Sequence, residues 1–348
     1  MEDARVSWPD LPATPADRRP DADRDTADRM DPALLTQFLC QQALQVRARS
    51  RAAHTGERPL AMVGQSPAFV AMLDRIAKVA RYRESVLITG ESGSGKEHVA
   101  RAISLLEPRQ DLPFVSVSCP QFEEGHLTVS ELFGHVKGSF TEAASDHAGA
   151  FAQAHTGTLF LDEIADLPAC AQAMLLRTLT TGEYKPVGAS DGRRVDVRVV
   201  AATNRPLNEM MASGAFRHDL LFRLRHFHVP VPPLRERGDD WRLIAEYCLV
   251  GLGLRHGVRK RLSPAAERCM AACTWPGNVR QLMAVVKAGY ALADSVSIGI
   301  DDIASQLDDY HVPGEGRSAT DAAAVSTLRS PSFLKRVSTS RERASAHW

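Results

Sequence analysis

Short apolar runs alternate with helical stretches from about residue 59 of the chain onward. Most of these runs are nearly continuous in apolar residues instead of alternating with polar ones. Strands with this pattern are buried on both faces, and strands separated by helices form parallel sheets. The pattern therefore predicts an α/β fold with a central parallel five-stranded sheet flanked by helices. The five runs predicted as strands are Ser85–Gly90, Pro113–Cys119, Thr158–Glu163, Val197–Thr203 and His226–Val231.

Residues 1–57 form a separate N-terminal segment that starts with few apolar groups. Residues 1–30 are rich in Asp, Arg and Pro, and a segment of that composition cannot bury enough surface to offset its ordering entropy. We therefore expect them to be disordered. Near residues 31–50, apolar residues from Leu34 to Leu39 recur at helical spacing. This predicts a short helix that packs either on the main domain or on a partner.

The strand pattern stops at Pro232 and Pro233, so we assign the α/β domain to residues 58–232. Residues 233–306 have the pattern of several helices interrupted by glycines, which predicts a small all-helical subdomain. Residues 307–348 are rich in Ser, Ala and Arg and are predicted to be a tail.

The composition is that of an ordinary globular protein. The 348 residues include 42 Lys and Arg and 42 Asp and Glu, which gives a net charge of zero. This balance disfavours binding of nucleic acid by bulk charge. The six cysteines include no Cys-x-x-Cys pair, so no zinc ribbon is indicated. The chain has neither a secretory signal pattern nor an apolar run of about 18 residues, so we expect a cytoplasmic protein without a membrane partner.

A phosphate-binding loop is indicated where the first predicted strand ends and a helical stretch begins. The eight residues at this point are Gly90, Glu91, Ser92, Gly93, Ser94, Gly95, Lys96 and Glu97. They match G-x-x-x-x-G-K, in which backbone N–H groups surround phosphate oxygens and the lysine reaches the outer phosphates. Glu97 departs from the general motif, which has Ser or Thr on Mg²⁺ there. The alternative is a glycine-rich turn with an exposed lysine.

Two further strand ends carry polar groups suited to nucleotide hydrolysis. Asp162 and Glu163 end an apolar strand, where the first would hold Mg²⁺ and the second would polarise the attacking water. Asn204 ends another buried strand and would sense the outer phosphate or position water, with a strand-capping role as the alternative.

One segment, Glu131–Ala143 (ELFGHVKGSFTEA), resembles the ELFGHxKGAFTGA signature of bacterial enhancer-binding proteins. These are AAA+ ATPases that activate sigma-54 RNA polymerase. The resemblance covers about residues 61–305. The other stretches that carry it are Pro113–Cys119, Leu175–Gly188, Val195–Leu207, Phe216–Leu224, Pro232–Asp240 and Thr274–Leu282.

The resemblance implies an AAA+ P-loop ATPase with a small all-helical lid, using ATP and Mg²⁺. It implies that Lys96 is the Walker A lysine, that Asp162 and Glu163 form Walker B, and that Asn204 is the first sensor. It further implies that Arg217 and Arg223 are arginine fingers for a neighbouring subunit's nucleotide, and that Arg280 is the second sensor, in the lid.

In this family the segment around Phe140 and Thr141 is a loop tip that contacts sigma-54. The usual second glycine of that loop is Glu142 here, which adds charge and removes backbone freedom. Ser118 stands where the family has an Asn that switches the orientation of the Walker B glutamate. A serine hydroxyl reaches less far, so coupling between sigma contact and hydrolysis would be altered.

The implied partners are sigma-54 RNA polymerase holoenzyme and other subunits of a ring. The ring would be a homo-oligomer, most simply a hexamer, or a mixed ring with a related activator. The N-terminal segment is too short for a receiver domain of about 100 residues. Residues 311–348 show no helix-turn-helix, so promoter DNA would be contacted mainly indirectly. The alternatives are a non-activating, modulatory ring subunit and an AAA+ remodeller of another client.

Overall fold

The computed structural model describes residues 32–53, 59–108, 112–119, 125–139 and 145–309. Within them the contacts define two compact units, one ending at Arg237 and the other beginning at Gly238. The disorder expected for residues 1–30 and most of the tail expected for 307–348 lie outside the described residues.

The first unit is built on one sheet. Its strands in chain order are β1 (Val86–Thr89), β2 (Phe114–Ser118), β3 (Thr158–Asp162), β4 (Glu183–Tyr184), β5 (Arg193–Arg194), β6 (Arg198–Thr203) and β7 (Phe227–Pro230). The main sheet has the order β2-β3-β6-β1-β7, and all four pairings are parallel. β4 and β5 form a separate antiparallel pair. The predicted five-stranded parallel sheet is thus confirmed.

The central strands are buried because helices cover both faces of the sheet, as continuous apolar runs require. All six residues of β6 are buried. The parallel register pairs Thr89 with Thr203, so β1 and β6 end at the same edge of the sheet. Asp162 ends β3 beside them, since Leu161 pairs with Ala201. The polar residues that follow these strands are therefore brought to one edge.

Nine helices of the first unit lie within the described residues. They are α1 (Pro32–Phe38), α2 (Gln41–Ala52), α3 (Pro67–Val79), α4 (Lys96–Leu105), α5 (Gly125–Phe133), α6 (Ala150–Gln153), α7 (Ala169–Thr181), α8 (Leu207–Ala212) and α9 (His218–Leu224). α3 begins with Ser66 as N-cap, whose hydroxyl accepts a hydrogen bond from the Phe69 amide, and with a proline in its first turn. Its apolar positions are buried, and the helix contacts α4 and the edge strand β7.

The N-terminal segment differs from the single helix expected near residues 31–50. It forms two helices, α1 and α2, because the chain extends at Leu39 and pairs there with Gly64. α2 contacts α3 and α4 of the same chain, and the Gln42 side chain donates to Asp74 over 2.9 Å. Phe38 and Leu39 are almost fully buried. The segment therefore packs on the main domain of its own chain, which is one of the two alternatives that the sequence left open.

Between Gly238 and Asp309, the described part of the second unit contains four helices and one short strand pair. Its elements are α10 (Asp240–His256), β8 (Arg261–Leu262), α11 (Pro264–Ala271), α12 (Asn278–Leu292), β9 (Ser297–Ile298) and α13 (Asp301–Asp309). The predicted helical subdomain is confirmed, and the structure adds one short parallel strand pair in which Leu262 pairs with Ile298. Ile298 is fully buried, and the Ser263 amide donates to its carbonyl over 2.9 Å.

Among the helices that the structure describes, we find none with both the length and the apolar composition needed to cross a membrane.

Candidate functional site

The loop between β1 and α4 has the backbone shape of a phosphate cradle. Gly93 and Gly95 have φ values of +73° and +101°, a region that side-chain-bearing residues rarely occupy. Gly95 is the N-cap of α4, so the helix begins at Lys96. The unpaired N–H groups of this first turn and the positive end of the helix dipole point toward the loop, an arrangement suited to anions.

Lys96 lies inside this loop and is 7% exposed. Its Nζ donates to the Gly90 carbonyl over 3.2 Å and lies 3.5 Å from the Glu91 carbonyl. It also pairs with Glu163 Oε1 at 3.2 Å. A buried ammonium is stable only when it has such partners, because desolvation penalises an unpaired charge. The loop therefore holds one positive charge at its centre.

Asp162 and Glu163 occupy the end of β3 and the residue that follows it. The backbone of Glu163 is left-handed, with φ +50° and ψ 53°, and its amide donates to Asp162 Oδ1 over 3.1 Å. Strained backbone of this kind persists only where the surroundings hold it, and it clusters at functional sites. Burial raises the pKa of Asp162, and the Glu163 carboxylate raises it further, while Lys96 opposes both effects.

Asn204 follows β6 and contacts Glu163 through its backbone. The Asn204 amide donates to Glu163 Oε2 over 3.0 Å. The two oxygens of Glu163 are thus held by Lys96 and by Asn204. The structure brings together four of the predicted residues, Lys96, Asp162, Glu163 and Asn204. The contact made by Asn204 uses the main chain, whereas the sequence pattern had suggested its side chain.

Ser118 lies opposite Asp162 in the register of β2 and β3 and is exposed. In the described part of the chain its hydroxyl makes no hydrogen bond with Glu163, whose oxygens contact Lys96 and Asn204. The predicted switch position is therefore adjacent to the acidic pair without contacting its glutamate.

The loop has features that fit a nucleoside triphosphate with a magnesium ion. The Ser94 hydroxyl is buried and has no hydrogen-bond partner among the described residues, so it is available to a ligand oxygen. Asp162 supplies a carboxylate, the hard oxygen donor that Mg²⁺ prefers. Glu97 is directed along α4, where it pairs with Arg101 at 3.4 Å. The residues present therefore fit both groups.

The two predicted arginine fingers lie at α9 and neither contacts the loop from Gly90 to Lys96 in the described structure. The Arg217 guanidinium donates two hydrogen bonds to the Asp219 carboxylate, of 3.0 and 2.8 Å. These hydrogen bonds lower the pKa of the Asp219 carboxyl. Arg223 Nε donates to the Leu179 carbonyl over 3.0 Å. Arg217 is about half exposed, at 48%.

The remaining predicted residues are Arg280, Phe140 and Thr141. Arg280 lies on α12 of the second unit. Phe140 and Thr141 lie outside the described residues, although the base of their loop is described. There the backbones of His135 and His147 exchange two hydrogen bonds of 2.9 Å, and the Val136 amide donates to Val187 over 3.0 Å.

One contact at the loop was missed by sequence reasoning. Arg235 pairs with Glu91 through two hydrogen bonds of 2.8 and 2.6 Å. The segment Pro232–Asp240 resembles the family, but no residue spacing links Arg235 to a glutamate 144 positions away. Only the three-dimensional structure shows that pairing.

Two family models match the chain. Residues 62–230 match the Sigma-54 interaction domain, and residues 235–319 match the AAA+ ATPase lid domain. Among solved structures, the crystal structure of NtrX from Brucella abortus in complex with ATP is similar, with a TM-score of 0.67 and 32% identity. That match covers 79% of this chain and 62% of NtrX.

The curated relatives include two anaerobic nitric oxide reductase transcription regulators named NorR. The one from Salmonella paratyphi C is 48% identical over 242 residues, which are 68% of this chain and 47% of the relative. The one from Salmonella dublin is 46% identical over 256 residues, 72% of this chain and 50% of the relative. The chain thus spans about half the length of these relatives. The region that matches the Sigma-54 interaction domain contains the phosphate loop, both acidic residues and the loop segment from Glu131 onward. The chain belongs to the AAA+ ATPases of the sigma-54-dependent transcriptional activator family.

Proposed function

We propose that this chain hydrolyses ATP between subunits of a ring and uses that reaction to move sigma-54 RNA polymerase from closed toward open promoter complexes. The observation that carries the proposal is the cluster at one sheet edge, in which the buried Lys96 contacts Glu163 and Glu163 contacts Asn204. This cluster combines a phosphate-binding cation with a carboxylate base, and the family membership supplies the client.

ATP binding would place phosphate oxygens among the N–H groups at the start of α4. Lys96 would then exchange its contact with Glu163 for one with the outer phosphates. Glu163, released from the lysine, would accept a hydrogen bond from the attacking water and polarise it. Asp162 would hold Mg²⁺, which neutralises phosphate charge when it is bound. The backbone amide of Asn204 would limit how far the Glu163 carboxylate moves.

Arg217 and Arg223 would act on the nucleotide of the adjacent subunit. Charge builds up on the phosphate oxygens during transfer, and a guanidinium stabilises it because arginine stays protonated and donates in a fixed fork. Supplying this charge in trans makes hydrolysis depend on assembly. Arg280 would contribute from the lid.

The client contact would be made by Phe140 and Thr141 at the tip of the loop whose base is closed by His135 and His147. Hydrolysis would change the position of that tip and so move sigma-54. Promoter DNA would be reached mainly through the polymerase, and the site of action would be the cytoplasm.

A trapping experiment tests the proposal. The chain is mixed with sigma-54 and ADP with aluminium fluoride, which mimics the transferring phosphoryl group, and a stable complex is expected by gel filtration. Lys96→Ala should abolish trapping because nucleotide binding is lost. Thr141→Ala should keep ATP binding and lose the complex. If the wild-type chain hydrolyses ATP and never traps sigma-54, the proposed activator function is wrong, which leaves a modulatory subunit or a different client.

A second candidate function is that of a modulatory subunit in a mixed ring, and two observations favour it. Glu142 replaces the flexible glycine of the loop, and Ser118 makes no hydrogen bond with Glu163 within the described structure. In vitro transcription from a sigma-54 promoter with this chain alone separates the two functions. Open complexes would exclude the purely modulatory function, and their absence despite ATP hydrolysis would favour it.

A further inference from the structure

A two-point ion pair fastens the phosphate loop to a segment far away in sequence. Arg235 lies in the 3-10 turn Leu234–Glu236, which follows β7. One terminal nitrogen of its guanidinium donates to Glu91 Oε2 over 2.8 Å and the other donates to Oε1 over 2.6 Å. These hydrogen bonds raise the pKa of Arg235, so the guanidinium stays charged. Bidentate geometry fixes the direction of the carboxylate as well as its distance.

The turn that presents Arg235 is itself anchored in the core. Leu234 is 2% exposed, and Arg237 is 4% exposed. The Arg237 guanidinium donates to the Val63 carbonyl over 2.7 Å and lies over the Phe69 ring, 4.3 Å from its centroid. Exposed ion pairs usually contribute little, because two mobile side chains must be ordered. Here one partner starts from a fixed turn, so less entropy is lost.

The other partner is fixed within the loop. The Glu91 carbonyl accepts a hydrogen bond from the Ser94 amide over 3.3 Å and lies 3.5 Å from Lys96 Nζ. Arg235 thus holds the side chain of a residue whose main chain shapes the cradle. Glu91 is also a negative charge in a loop built for anions, and without a counterion its carboxylate repels phosphates.

We propose that Arg235 is a positioning residue for ATP, which holds the loop in its binding shape and neutralises Glu91. The inference rests on the proposed location of ATP in the loop from Gly90 to Lys96. Arg235 contacts neither Lys96 nor Glu163 in the described structure, and the ion pair between those two residues does not involve it. Its loss should therefore weaken ATP binding more than it slows the chemical step.

Steady-state ATP hydrolysis and binding of a fluorescent ATP analogue test this on the full chain. Arg235→Ala should raise KM and the dissociation constant about fivefold to tenfold, while kcat at saturating ATP changes less than about twofold. Arg235→Lys should restore part of the affinity, since lysine keeps the charge and loses the fork. Arg194→Ala is the matched control. Arg194 forms an exposed ion pair with Glu183, with 3.0 Å between the two side chains, and this pair is not part of the phosphate loop. The control variant should leave KM and the dissociation constant unchanged.

A double-mutant cycle with Glu91→Gln shows whether Arg235 acts through Glu91. In the Glu91→Gln background, Arg235→Ala should change KM by less than about twofold. An equal effect in both backgrounds, or an unchanged KM in the single variant, overturns the inference. The variant Lys96→Ala distinguishes a wrong role for Arg235 from a wrong location for ATP. If Lys96→Ala still binds ATP normally, the location of ATP is wrong; if it loses binding while Arg235→Ala does not, only the inference fails.

Discussion

At the scale of single residues, the lysine of the phosphate loop and the glutamate that follows β3 form an ion pair. Lys96 and Glu163 are 3.2 Å apart, and both have little exposed surface. In the proposed mechanism, a phosphate that binds Lys96 would compete with this contact, and Glu163 would become available to the attacking water once the phosphate has replaced it. Under the proposed function, this single ion pair would make the availability of Glu163 depend on the presence of ATP.

Exchanging the base for its amide isolates that residue's part in the reaction. Glu163→Gln should keep ATP binding within about threefold and lower kcat at least about 100-fold, because a neutral amide cannot accept the proton of water. Binding of a fluorescent ATP analogue and phosphate release measure the two effects. Lys96→Ala is the contrasting variant and should lose binding. Near-normal turnover by Glu163→Gln would assign the base to another group.

The residues of the site differ in how far the sequence reveals them. Lys96, Asp162 and Glu163 belong to short local patterns at strand ends, and parallel strands bring such ends together, so they could be predicted. The left-handed backbone of Glu163 and the use of the Asn204 amide depend on details of loop packing, which no residue pattern encodes.

At the scale of elements, strands with long apolar runs can be predicted from the sequence, whereas two-residue strands that depend on tertiary contacts cannot. The central strands β1, β3 and β6 could be predicted because burial on both faces leaves a continuous apolar run. The edge strands β2 and β7 are only partly buried and contain polar residues. β8 and β9 have two residues each and are held by the folding of α11 and α12 between them. The division of the N-terminal segment at Leu39 likewise follows from a partner, Gly64, that lies outside the segment itself.

The N-terminal helices should contribute to the stability of the first unit. Phe38 is fully buried at the end of α1. Phe38→Ala should lower the free energy of unfolding by about 3–4 kcal/mol, through lost burial and the remaining cavity. Urea denaturation followed by circular dichroism measures it. Gln45→Ala, on the exposed side of α2, is the control and should change the free energy by less than about 0.5 kcal/mol. Equal stability of both variants would mean that the helices pack without supporting the fold.

At the scale of the whole molecule, the site lacks the two arginines expected to complete it. Arg217 is half exposed and paired with Asp219, and neither Arg217 nor Arg223 contacts the phosphate loop in the described structure. Phe222 lies between them on α9 and is 76% exposed. This exposure is unfavourable, because burial of a large apolar side chain stabilises a protein. These features fit a helix face that is completed by another subunit.

Mixing two inactive variants tests whether Arg217 acts between subunits. Arg217→Ala removes the arginine and keeps Glu163, while Glu163→Gln does the reverse, so each alone should have little ATPase activity. In a ring formed from equal amounts, random assembly gives about a quarter of the interfaces an intact Glu163 and an intact Arg217 from the neighbour. The mixture should therefore regain activity, whereas a mixture of Glu163→Gln with Lys96→Ala should not, because both of those changes affect the subunit that binds the nucleotide. If the first mixture stays inactive while its subunits exchange, Arg217 serves the nucleotide of its own chain; if Arg217→Ala alone keeps its activity, Arg217 serves no nucleotide.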